Sequence, residues 1–166
     1  MARWGLIPSW ANGPTKYSTI NARCETLHKA ASYRGPWQRG QRCLFPVSGF
    51  YEWQVTDSGK QPWYIRLPEQ DTFALAGLWE RNGDMESATI VTLPANELLA
   101  KIHNTRKRMP LILDPESFDA WLGENSESAQ SIIVPYPVAR MEAWPVSHYV
   151  NNPRHQGVEC IKKISG

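Results

Sequence analysis

Arg42-Cys43-Leu44-Phe45-Pro46-Val47-Ser48-Gly49-Phe50-Tyr51-Glu52-Trp53 is the stretch whose reading decides the fold. Its aliphatic and aromatic residues suit a pleated, half-buried surface, so residues 42–53 read as strand. Pro46 and Gly49 break the run near its middle. Asp57-Ser58-Gly59-Lys60 then supplies hairpin chemistry. Residues 61–67 and 72–80 alternate apolar and polar side chains, as two paired strands would. Asn82-Gly83 marks another hairpin, and residues 88–93 form an apolar β-branched run.

Pro94 opens a helix over residues 95–102, with Leu98, Leu99 and Ile102 on one face. Toward the amino end, Trp4-Gly5-Leu6-Ile7-Pro8 reads as a short strand. Residues 25–33 read as a helix stopped by Gly35-Pro36. Toward the carboxyl end, Asp114-Pro115 starts a helix that runs to Leu122 and stops at Gly123. Residues 132–135 and 142–146 read as late strands. Strands come first, short helices are interspersed, and there is no regular βαβ alternation. The expected class is α+β: a curved antiparallel or mixed sheet, barrel-like, with short flanking helices.

At 166 residues the chain is read as one domain over 1–166. A hydrophobic content of 42 % with 20 % charged residues suits a real core and excludes disorder. The cysteines, Cys24, Cys43 and Cys160, are odd in number and show no Cys-x-x-Cys spacing. No apolar signal segment or membrane-length run is visible. Reduced thiols and a cytoplasmic location are the expectation, with no membrane partner. His28, His103, His148 and His155 are scattered without ligand spacing, so neither a metal nor another cofactor is expected.

The net charge of +2 hides an uneven distribution. Residues 1–42 carry seven basic side chains against Glu25 alone, and Lys101, Arg106, Lys107 and Arg108 form a second basic block. Residues 114–127 are acidic without a compensating base. One basic and one acidic side suit a polyanion binder; a solvated dipolar surface would look the same in charge alone.

Within this frame three polar residues stand out. Glu52 lies among Phe50, Tyr51 and Trp53, where desolvation raises a carboxyl pKa toward general acid–base use. Plain alternation would instead point Glu52 to solvent. His103 ends the 95–102 helix beside Arg106-Lys107-Arg108, either for proton chemistry next to phosphates or as a cap on a terminal carbonyl. Asn21 and Arg23 are two apart on a strand and share a face, suited to a phosphate or a sugar hydroxyl. Asn21 could equally order the turn that follows. Trp4 and Trp10 are candidates for stacking on unpaired bases, or for plain packing. These residues by themselves name no reaction.

Trp4-Gly5-Leu6-Ile7-Pro8-x-Trp10, Asn21-Ala22-Arg23-x-Glu25-Thr26, the 42–53 stretch and His103 through Arg108-Met109-Pro110 together resemble the SOS-response-associated peptidase family. Its members are abasic-site processing proteins. The late stretch Trp144-Pro145-Val146-Ser147 through Asn151-Asn152 is similar too. The resemblance implies a compact α+β fold with a cleft for single-stranded DNA that carries abasic sites. It implies catalytic roles for Asn21, Glu52 and His103. Glu52 would shuttle protons in ring opening and closure, and His103 would help form and reverse a Schiff base. Trp4, Arg23 and Arg106 or Arg108 would meet the DNA. A non-catalytic single-strand binder and a conventional peptidase are the alternative readings.

In the family, an amino-terminal cysteine closes a thiazolidine on the abasic aldehyde, a DNA–protein crosslink coupled to lyase and autopeptidase activity. This sequence starts at Met1-Ala2-Arg3, on what resembles the family's first internal strand, and the Met-Cys-Gly-Arg block is not in it. The expectation is therefore impaired crosslinking. The amine of Ala2, bared by loss of Met1, is a weaker candidate for Schiff-base chemistry. The spacing from His103 to Arg108 exceeds the His-x-Arg of many members. The oligomeric state is not legible.

Overall fold

The computed structural model describes residues 2–164. Met1, whose loss would bare the Ala2 amine, lies outside them. In chain order the strands are β1 (Arg3–Trp4), β2 (Asn21–Arg23), β3 (Arg42–Val47), β4 (Phe50–Thr56), β5 (Gly59–Arg66), β6 (Phe73–Asn82), β7 (Met85–Pro94), β8 (Arg108–Pro110), β9 (Ile112–Leu113) and β10 (Glu142–Pro145). The α-helices are α1 (Arg34–Gln38), α2 (Glu97–Ile102), α3 (Phe118–Leu122) and α4 (Ser126–Ser131). The class is α+β, with sheets that curve without closing. Two compact units are distinguished. The first is Met1–Pro46, Ala74–Leu93 and Pro110–Pro135; the second is Val47–Phe73, Pro94–Met109 and Tyr136–Gly166.

The first unit is a mixed sheet in the order β1-β7-β6-β3, with β2 also on β7 and β9 on β6. β6 and β7 form the hairpin expected at Asn82-Gly83; Asn82 pairs with Met85, and Gly83 takes the φ of +58° that such a turn needs. β1 and β2 both run parallel to β7, at Ser87–Ala88 and then Ile90–Thr92. They act as one edge strand interrupted by an excursion. The expected strand over residues 4–8 therefore ends at Trp4. Gly5, at φ +97°, turns the chain away, and Leu6 N–H closes the excursion on the Thr19 carbonyl at 3.2 Å. Leu78, Val91, Leu111 and Trp121 are fully buried in this unit's core.

Two other expectations fail here. Cys24–Thr26 is only a 3-10 turn, and the helix comes later, at α1, with Gly35-Pro36 inside it. A proline in the first turn gives up an N–H that has no helical partner anyway, so the pair starts this helix rather than stopping one. Residues 132–135 form no strand, and Val134 is 59 % exposed. Among the described residues no strand pairs with this apolar run. The helix after Asp114-Pro115 is present as a 3-10 turn followed by α3, with Gly123 at its end.

The second unit is an antiparallel sheet in the order β10-β5-β4. β4 and β5 are the hairpin signalled by Asp57 to Lys60: Thr56 pairs with Gly59, and the register places Glu52 opposite Trp63. β5 and β6 do not pair with each other, against expectation. Their alternation is real, but the partners are β4 and β10 for one, and β7, β3 and β9 for the other. Asn96 caps α2, its Oδ1 accepting the Leu99 N–H at 2.9 Å, while Leu99 and Ile102 are buried with Ile65, Met109 and Val146. Among the described residues no helix is long and apolar enough to cross a membrane.

Candidate functional site

β4 is an edge strand, and its edge builds the site. Side chains alternate along it, so Tyr51 and Trp53 share one face while Phe50, Glu52 and Gln54 share the other. On the Tyr51 face, the Tyr51 hydroxyl donates to the Cys160 carbonyl at 3.2 Å and Trp53 Nε1–H to Asn151 Oδ1 at 2.9 Å. The carboxyl-terminal segment thus covers that face. Gly49 is explained by its neighbour: a Cβ there would run into the Tyr64 ring, whose hydroxyl donates to the Ser48 carbonyl at 3.0 Å. The Gly49-x-x-Glu52 spacing is therefore a packing requirement that fixes where β4 begins.

Glu52 does not point to open solvent. Its side chain is 21 % exposed, and His103, 22 % exposed, brings Nδ1 to 3.6 Å from Glu52 Oε2. Burial pushes the Glu52 carboxyl above its ordinary range; the nearby imidazole and the Trp53 backbone N–H pull it back only in part. The Trp53 N–H stabilises the ionised form as a donor should.

His103 follows α2 directly. Its Nδ1 lies 3.1 Å from the Arg108 carbonyl oxygen. A carbonyl only accepts, so Nδ1 carries a hydrogen and Nε2 is left to take or give a proton. The expected cap on a helix carbonyl is not what this ring does. The loop that supplies the Arg108 carbonyl is tightly closed. Lys107 N–H reaches the His103 carbonyl at 2.8 Å, Ala95 N–H reaches the Lys107 carbonyl at 2.9 Å, and Lys107 sits at φ +50°. A non-glycine residue in the left-handed region is uncommon and costs energy that the closed loop offsets.

The remaining candidates fall as follows. Arg106 is exposed, whereas Arg108 is half-buried with its backbone on His103. In the first unit, Asn21 and Arg23 share an exposed face of β2 while Ala22 is buried. The Asn21 side chain is thus exposed, and its carbonyl accepts the Tyr33 hydroxyl at 3.1 Å. Arg23 approaches Glu25 at 3.9 Å. Trp4 is 50 % exposed and meets Phe45 edge-on at 5.3 Å; Trp10 is 62 % exposed. Sequence reading missed Gln54, Trp63 and Asn104. Trp63 shares the Glu52 face and donates Nε1–H to Gln54 Oε1 at 3.1 Å. Cys43 is no nucleophile as it stands: burial pushes its thiol to about 12.

A half-buried carboxyl beside an imidazole is the candidate acid–base pair on this α+β scaffold. The chain belongs to the SOS response associated peptidase (SRAP) family, whose model matches residues 1–153. It is 39 % identical over 170 residues to "Abasic site processing protein YoqW" of Bacillus subtilis, covering 96 % of this chain and 74 % of that protein. To "Abasic site processing protein HMCES" of Xenopus tropicalis it is 37 % identical, covering 98 % and 56 %. A crystal structure of a Bacteroides thetaiotaomicron protein superposes with a TM-score of 0.85 at 27 % identity, covering 98 % of this chain and 75 % of that one.

Proposed function

We propose that this protein processes abasic sites in single-stranded DNA, with Glu52 and His103 carrying the proton transfers. The observation behind this reading is the Glu52–His103 pair: an acid raised by burial beside an imidazole whose Nδ1–H is held by a backbone carbonyl. The names borne by relatives point to abasic sites.

Opening the abasic sugar removes a proton from the C1′ hydroxyl and delivers one to the ring oxygen as the C1′–O bond breaks. A single carboxyl can do both, accepting with one oxygen and donating from the other. An amine then adds to the C1′ aldehyde. His103 Nε2 takes the proton that the amine sheds as it adds and passes it to the departing hydroxyl, which leaves as water; the same transfers run backwards on reversal. Asn21 assists, as the family resemblance implies, while Trp4, Arg23, Arg106 and Arg108 meet the strand. The reading assigns proton transfer to Glu52 and His103.

A denaturing gel tests this. The chain is incubated with a single strand bearing one abasic site, with and without borohydride. An adduct or a strand break at the abasic position is expected, and an intact, unmodified strand under both conditions would overturn the reading. Binding should weaken steeply with salt, as phosphate contacts require; a flat dependence would contradict a nucleic-acid substrate.

A further inference from the structure

We propose that Asn104 is a positioning residue that, together with Gln54, holds His103 against Glu52. The strand edge argues for it. Among the described residues β4 has no strand neighbour beyond β5, so the backbone groups of its outer edge need partners. Val55 meets Asn104 with both of its own. Val55 N–H donates to Asn104 Oδ1 at 3.0 Å, and Asn104 Nδ2–H donates to the Val55 carbonyl at 2.8 Å. The side-chain amide thus takes the place of a neighbouring strand residue, exchanging both ladder bonds. Only an amide of this length offers one donor and one acceptor at that reach. An aspartate lacks the donor, and an alanine lacks both.

The neighbouring residue adds a second anchor. Gln54 Nε2–H donates to the Lys101 carbonyl, in the last turn of α2, at 3.2 Å. His103 is thereby bracketed: Lys101 before it is tied to Gln54, and Asn104 after it is tied to Val55. Both anchors lie just beyond Glu52 on the same strand. Among the described residues the hydrogen bonds of the Asn104 side chain go to Val55 and not to Glu52 or the imidazole ring, so it acts through His103. The hydrogen bonds are solvent-exposed, which makes the expected effect graded rather than absolute.

The proposal rests on the acid–base reading above, and its test separates the two. Ring ¹⁵N shifts of His103 are recorded at neutral pH in the wild type, Asn104→Ala and Asn104→Asp. The wild type should show the Nδ1–H tautomer alone. Asn104→Ala should show a mixture with the Nε2–H form, and Asn104→Asp an intermediate mixture. With abasic single-stranded DNA, Asn104→Ala should lose kcat by about tenfold while KM stays within about twofold, as a small misplacement of a catalytic group predicts. An unchanged His103 tautomer in Asn104→Ala would overturn the proposal. So would a loss confined to KM. A tautomer change in a protein that leaves abasic DNA untouched would support the clamp and remove the proposed function instead.

Discussion

Arg42 in the first unit and Glu52 in the second are both charged groups drawn out of water, and the fold treats them in opposite ways. Arg42 is 4 % exposed. Its guanidinium donates to the carbonyls of Trp121 at 2.6 Å and Trp37 at 3.1 Å, to the Gly123 carbonyl, and stacks over the Trp37 ring at 5.1 Å. Fixed backbone oxygens at the ends of α1 and α3 meet the charge in a planar fork that only arginine presents. Glu52 keeps more exposure and fewer donors, and a titratable ring lies 3.6 Å from its carboxylate. A saturated charge organises structure, whereas an incompletely satisfied one is kept ready to exchange a proton. Glu80 sides with Arg42. It is buried, and Arg39 and Gln41 both donate to it.

The contrast is most exposed to failure at Arg42. Arg42→Leu should lower stability by about 3–5 kcal/mol, because several buried carbonyls lose their donor. Thermal denaturation should show a midpoint drop on the order of 10 °C for a chain of this size. A drop of a degree or two would mean that water fills the socket and that saturation is not its purpose. Glu52→Gln should do the reverse: processing falls by about a hundredfold, the usual size of an acid–base contribution, without loss of fold.

The sign of its pH dependence follows from burial. The folded-state pKa of Glu52 lies above the unfolded value. The fold therefore holds the proton more tightly than the unfolded chain. The wild type gives up stability as pH rises from the ordinary carboxylate pKa through the raised one. Melting curves of wild type and Glu52→Gln should diverge across that window, with the variant the more stable at its upper end. Parallel curves would contradict a desolvated Glu52.

Gly49→Ala sharpens the comparison from the scaffold side. The new methyl meets the Tyr64 ring, so β4 must shift, and a cost of about 1–3 kcal/mol is expected from overpacking. Because that shift moves Glu52, activity should fall by more than stability alone explains; equal losses in the two would mean the spacing is only structural. The smallest effect belongs to Arg106→Ala. Exposed and remote from the core, it should leave the melting midpoint unchanged and reduce the slope of log affinity against log salt by about 1.

What could be read from the sequence was local. Asp57 to Lys60 and Asn82-Gly83 declared their hairpins because turn chemistry sits within four residues. The spacing of Leu98, Leu99 and Ile102 declared α2, but Pro94 ends β7 instead of opening the helix, which starts at Glu97 behind its cap Asn96. The assignment of β5 and β6 to different sheets was not legible, since alternation reports a buried face and not its partner. Pro36 misled because proline both stops helices and starts them, and only the surrounding chain decides which. At the site, the aromatic neighbours of Glu52 signalled desolvation correctly. The approach of His103 depends on residues far along the chain, namely Asn104 on Val55 and Gln54 on Lys101. No local pattern carries that information. Asn21 was read with the same emphasis as Glu52, yet its side chain is exposed on β2.

The most direct measurement is the rate of processing of a single-stranded oligonucleotide with one abasic site by wild type and Glu52→Gln, with binding measured on the same samples. The account predicts affinity within about twofold and a rate about a hundredfold lower in the variant. An unchanged rate at unchanged affinity would contradict it, leaving Glu52 as a half-buried carboxyl with no part in the chemistry.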